Sequence, residues 1–123
     1  MLVTKNESVS LGSYDGFKTW LLIGESNSSS KEISIQMTEV EPQAMQFLHS
    51  HEEAQCYYIV RGTGLMIIEE KERPVVEGEA IFIPSNAIHG IKNVGSETLV
   101  YLTANRAFGI EKENSIWPIG PGK

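Results

Sequence analysis

The sequence predicts an all-β sandwich or barrel, and three observations carry that expectation. Apolar and β-branched residues come in short runs of about four to eight. Turn residues separate the runs at roughly 8–12-residue spacing. No window sustains the apolar periodicity of an amphipathic helix.

Taken in order, the first strand candidates are 17–24 (FKTWLLIG) and 32–40 (EISIQMTEV), with the serine-rich Ser26–Ser30 read as a flexible loop tip between them. Glu41-Pro42 stops the second, and 44–49 (AMQFLH) follows. The segments 55–61 (QCYYIVR) and 64–70 (GLMIIEE) are joined by Gly62-Thr-Gly64, read as a strand turn. The charged run Glu69–Arg73 reads as a solvated hairpin tip, closed by Pro74. Candidates 75–76, 79–84 (EAIFIP), 88–93 (IHGIKN) and 97–103 (ETLVYLT) complete the set, separated by Glu77-Gly78, Pro84-Ser-Asn86 and Val94-Gly95. Residues 104–123, rich in Gly and Pro, read as an irregular tail that Phe108 and Trp117 pin to the body.

Composition sets the outer limits. At 123 residues and 41% hydrophobic, the chain can build one core, so 1–123 is taken as a single domain. A net charge of −6 argues against nucleic-acid or membrane partners, which need clustered positive charge. The opening MLVTKNESVS lacks an apolar signal stretch, and the lone Cys56 cannot form an internal disulfide. Both point to a cytoplasmic setting.

The chemistry is carried by histidine. The chain has 3, at positions 49, 51 and 89. Residues two apart in a strand share a face, so His49 and His51 can aim at one ion. Gln55 keeps that parity if the chain stays extended and would add a carbonyl oxygen. His89 would complete a set of three nitrogens and one oxygen, leaving two positions open on an octahedral ion. A zincin helix is a poor alternative, because Gln55 stands where that motif needs a second histidine and β composition follows. Cys56 has the opposite parity and points away. Phe47, Tyr57 and Ile91 are candidate pocket residues, and Arg106 a candidate partner for a substrate carboxylate. Glu53 is a better candidate than Glu52 for a nearby base.

These residues carry a resemblance. His49-Ser-His51-Glu-Glu-Ala-Gln55, followed by six residues and Gly62, resembles the first motif of the cupin superfamily. Gly78, Pro84, Asn86, His89 and Asn93 fall at the spacing of the second. The motifs occupy 49–62 and 78–93. Three departures stand out: Gln55 replaces the usual Glu ligand, Asn86 a turn glycine, and Gln43 the glycine that opens the first motif.

The resemblance implies a double-stranded β-helix, the jelly-roll barrel of small single-domain cupins, often dimeric. It implies one divalent transition metal per chain (Mn, Fe, Ni or Zn) held by His49, His51, Gln55 and His89. The neutral Gln55 would leave the ion its full double charge, which favours anionic or sugar-acid-like ligands that chelate through adjacent oxygens. The implied activity is dioxygenation, or isomerisation or cyclisation through an enolate, of a small carboxylate, keto or hydroxy metabolite. The rival expectation is a non-catalytic small-molecule binder, a sensor or accessory protein.

Overall fold

The computed structural model describes residues 2–3 and 9–107, with 9–14 as backbone alone. Its strands are β1 (Val9–Tyr14), β2 (Phe17–Ile23), β3 (Ser34–Val40), β4 (Met45–His49) and β5 (Gln55–Arg61). Then come β6 (Thr63–Ile68), β7 (Lys71–Val76), β8 (Ala80–Ile83), β9 (His89–Asn93) and β10 (Leu99–Asn105). They form two antiparallel sheets, of order β1-β2-β3-β10-β5-β8 and β4-β9-β6-β7, the jelly roll that the motifs imply.

Period-two patterning fixes which side chains go inside. In β5, Gln55, Tyr57 and Ile59 are buried while Cys56, Tyr58 and Val60 are exposed. Strand β10 lies between β3 and β5 and buries Leu99, Tyr101, Thr103 and Asn105. The core between the sheets is built from such residues, with Phe17, Val40, Met66, Ile83 and Ile91 among them. One polar group is enclosed there at no loss. Gln46 Oε1 accepts from the Tyr57 hydroxyl at 2.8 Å and from the Tyr101 hydroxyl at 3.2 Å, and the two rings stack 4.6 Å apart.

The turns account for the punctuation. Gly62 has φ +94°, and a Cβ there would lie 3.0 Å from the Leu99 Cα and the Thr98 carbonyl oxygen. Asn86 takes the left-handed conformation at φ +66°, as its place in a turn requires. Gln43, where the first motif lacks its glycine, keeps φ +73° all the same.

Several expectations change in detail. Strand β1 was not anticipated, because VSLGSY has weak β composition. Within the serine-rich segment one helical turn, α1 (Glu25–Ser28), forms: Asn27 accepts from the Gly24 amide at 3.0 Å and donates to the Leu22 carbonyl at 2.9 Å. The charged run is not all hairpin tip. The reversal is confined to Glu69-Glu70, at φ +49° and +72°, and Lys71 to Arg73 belong to β7. The last strand runs on to Asn105, and the Ala107 amide donates to the Lys31 carbonyl at 3.2 Å. The rest of the expected tail, with Phe108 and Trp117, lies outside the described residues. Among the described residues no helix is long and apolar enough to cross a membrane.

Candidate metal centre

The four expected ligands come from both sheets. His49 ends β4 and pairs with His89, the first residue of β9. Gln55 opens β5 in the other sheet, opposite Asn105. His51 corrects the sequence reading: it does not share a strand with His49 but lies in the bend between β4 and β5. Strand parity therefore does not aim it. The bend does, because its backbone is tied to the β8–β9 turn. The Asn86 amide donates to the His51 carbonyl at 2.8 Å, and the Ser85 hydroxyl donates to the Glu52 carbonyl. Exposed Glu52 and half-buried Glu53 occupy the same bend.

The imidazoles converge. One nitrogen from each of His49, His51 and His89 lies within 4.8 Å of the other two. Ring centroids are 4.3 Å apart for His49 and His89, 4.9 Å for His51 and His89, and 5.6 Å for His49 and His51. Each ring uses Nδ1 in the same way. His49 Nδ1–H donates to the Phe47 carbonyl at 2.7 Å, His51 to Glu53 at 2.7 Å and His89 to Ala87 at 2.8 Å. A carbonyl only accepts, so the proton sits on Nδ1 and Nε2 is left with its lone pair. Metal-binding histidines are oriented by such backbone bonds.

Burial keeps the rings neutral. Desolvation, with repulsion from neighbouring His89, pushes His49 down to about 3. Desolvation pushes His89 down to about 4, with His51 adding repulsion, and lowers His51 as well. Neutral imidazole is the form that binds metal.

Two observations show that the donor set fits a cation. His89 is fully buried, and its Nε2 has no hydrogen-bond partner among the described residues. An unsatisfied buried acceptor costs about 1–3 kcal/mol, which a bound cation would offset. In addition, Gln55 Oε1 lies 3.0 Å from His51 Nε2. With the His51 proton on Nδ1, both atoms are acceptors, and a shared positive charge is what reconciles them. Three nitrogens and an amide oxygen suit a divalent transition metal and leave its charge uncompensated.

Of the other expected pocket residues, Tyr57 and Ile91 are buried in the core and Phe47 is half-buried, offering its carbonyl to His49. Arg106 is exposed, and its carbonyl accepts from the Asn105 side chain. None of these four borders the cavity of about 640 Å³ that opens where the β7 and β8 edges face each other. Apolar Met66, Ile68, Val75 and Ile81 line it together with two cations, Lys71 and Arg73, and two carboxylates, Glu69 and Glu79. The ladder puts these cations on the histidine face, since His89 pairs with Ile68 and Ile68 with Lys71, while Ile91 pairs with Met66 and Met66 with Arg73. Neither forms an ion pair among the described residues. The available signal was the period-two spacing of Lys71, Arg73 and Val75, which reading the charged run as a turn obscured.

The sheets and the cluster together define a jelly-roll barrel with three converging histidines and a glutamine oxygen beside one of them. A family model described as the cupin domain (Cupin_2) matches residues 36–105, more than half of the chain, and the chain belongs to that family. Among curated proteins, it is 38% identical over 56 residues to an oxalate-binding protein of Thermotoga maritima, covering 45% of this chain and 46% of the relative. It is likewise 38% identical over 56 residues to an uncharacterized protein of Methanocaldococcus jannaschii, covering 45% of each. The matches thus span less than half the length of these relatives. A Thermotoga maritima structure described as a predicted oxalate decarboxylase superposes with a TM-score of 0.74 at 23% identity, over 88% of this chain and all of the other.

Proposed function

We infer that this cupin is a metal-dependent enzyme acting on a small oxygenated carboxylate, with His49, His51, Gln55 and His89 holding one divalent transition ion. The observation that carries this reading is the buried Nε2 of His89, without a hydrogen-bond partner among the described residues, amid imidazoles that are neutral and pre-oriented. When bound, the ion would polarise chelating oxygens as a Lewis acid and, if redox-active, support dioxygen chemistry. The chain's own part is to bind, orient and exclude water. Neutral donors leave the centre positive, which favours an anion; the cavity beside it is of mixed charge, with Lys71 and Arg73 set against Glu69 and Glu79. We assign proton movement to Glu53, a reading supported by its half-buried position and by its charge acting on His51. Dioxygenation, and isomerisation or cyclisation of a keto or hydroxy acid, both suit such a site.

A relative named as an oxalate-binding protein supports the anionic ligand and also favours a second reading, capture of a small acid without turnover. One experiment addresses both. Purified protein should carry about one Mn, Fe, Ni or Zn ion per chain by elemental analysis, and the His49→Ala/His89→Ala variant none. Oxalate and small sugar acids are then screened for thermal stabilisation and for turnover. Stabilisation without turnover selects the binder; failure to take up any of the four metals, even after reconstitution, refutes the metal centre.

The same reading includes a homodimer. Tyr58, Val60 and Phe82 are 48%, 40% and 62% exposed on the outer face of the six-stranded sheet, which supports it. Sedimentation velocity checks it, with a monomer as the refuting result.

A further inference from the structure

A glutamine ligand raises a difficulty that a glutamate ligand does not. Either oxygen of a carboxylate can face a cation, whereas only one end of an amide can. The other end is a donor, and the His51 Nε2 lone pair beside Gln55 attracts a donor. Left alone, Gln55 would gain a hydrogen bond by turning its NH₂ group to His51, presenting N–H where a metal needs oxygen.

The structure contains a device that opposes this turn. Gln55 Nε2 donates to Asn105 Oδ1 at 3.2 Å, and Asn105 Nδ2 donates to the Arg106 carbonyl. The bonds run in one direction only. The Arg106 carbonyl can only accept, so it fixes the NH₂ end of Asn105. Asn105 must then present its oxygen to Gln55, which answers with its own NH₂. Gln55 Oε1 is thereby left at the histidine end, 3.0 Å from His51 Nε2. Both amides are enclosed, with Gln55 6% and Asn105 8% exposed, so water is a poor substitute for either partner. Reversing Gln55 would set its oxygen against that of Asn105, and reversing both would set the Asn105 oxygen against the Arg106 carbonyl.

We propose that Asn105 is a positioning residue that holds Gln55 with its oxygen toward the histidines, which makes a glutamine usable as a metal ligand in this chain. The proposal rests on the metal-centre reading above. The Asn105 side chain bonds the Gln55 amide and the Arg106 carbonyl, and its effect passes through the Gln55 amide.

The test is a double-mutant cycle read by Co²⁺ affinity, measured by competition with a chromophoric chelator, and by the Co²⁺ visible spectrum. Asn105→Ala should weaken Co²⁺ binding at least tenfold when residue 55 is glutamine. In a Gln55→Glu background the same change should alter affinity less than threefold, because a carboxylate has no wrong end. Circular dichroism establishes folding, and Asn105→Ser replaces Asn105→Ala should the latter fail to fold. Equal losses in both backgrounds would show that Asn105 is merely structural and overturn the proposal, as would no loss in the glutamine background. Failure of both the wild type and Gln55→Glu to bind Co²⁺ overturns the metal-centre reading itself, an outcome distinct from either of those.

Discussion

The metal-free protein should lose stability steeply as the pH falls below 6.5. Folding holds His49 and His89 in their neutral forms, lowered from 6.5 to about 3 and about 4 chiefly by desolvation, with repulsion from His89 and His51 acting on His49 and from His51 on His89. An unfolded imidazole takes up its proton near pH 6.5, while the folded ones do so only far below. Over that window the unfolded chain binds more protons, so stability rises with pH and falls on acidification. At pH 5 the solution is about 1.5 units below the unfolded value, and at about 1.4 kcal/mol per unit each histidine costs roughly 2 kcal/mol. The pair costs about 4 kcal/mol, a large share of the 5–15 kcal/mol typical of a domain. His51 acts in the same direction. The loss continues until the folded values near 4 and 3 are passed and is then complete. Urea denaturation in excess chelator at pH 7.5, 6 and 5 measures it. His89→Leu should remove about half of the decline. A fall of less than about 1 kcal/mol between pH 7.5 and 5, or a decline that His89→Leu leaves untouched, would refute the claim that these imidazoles are neutral because they are buried together.

Two backbone predictions follow from the turns. Gln43→Gly should stabilise the protein by about 0.5–1 kcal/mol in the same denaturation assay. Gln43 holds φ +73°, where a side chain costs about 1–2 kcal/mol and the flexibility of unfolded glycine offsets part of the gain. Gly62→Ala should cost more than Gly78→Ala by at least about 1 kcal/mol. Both have left-handed φ, +94° and +91°, yet a Cβ at 62 would meet the Leu99 and Thr98 backbone at 3.0 Å, whereas at 78 it meets nothing within 4 Å.

Most of the barrel was legible because its strands are short apolar and β-branched runs, with clear two-residue alternation over QCYYI in β5, and because Gly and Pro mark their ends. Strand β1 was hidden because VSLGSY owes its place to pairing with β2, a contact that a local reading of composition does not detect. Strand β7 was hidden for another reason. Lys71, Arg73 and Pro74 look like a turn, but the two-residue reversal at Glu69-Glu70 is enough to bring the chain back. An edge strand tolerates charges and proline that an interior strand would not.

The site shows where one-dimensional reasoning ends. The histidines were legible from their spacing, although no shared strand face aligns them: His49 ends β4 and His51 lies in the bend beyond it. What places His51 is the Asn86 amide on its carbonyl, so the turn of the second motif shapes the first. Asn86 can serve there because an asparagine tolerates the φ of +66° that the turn demands. The two motifs are therefore one mechanical unit: the β8–β9 segment supplies His89 as a donor and also clamps the bend that delivers His51. Asn105, 50 positions beyond Gln55, carries no motif, and its role exists only in the direction of two hydrogen bonds. Spacing reveals which residues can supply donor atoms; the surrounding hydrogen bonds decide which atom of each is presented.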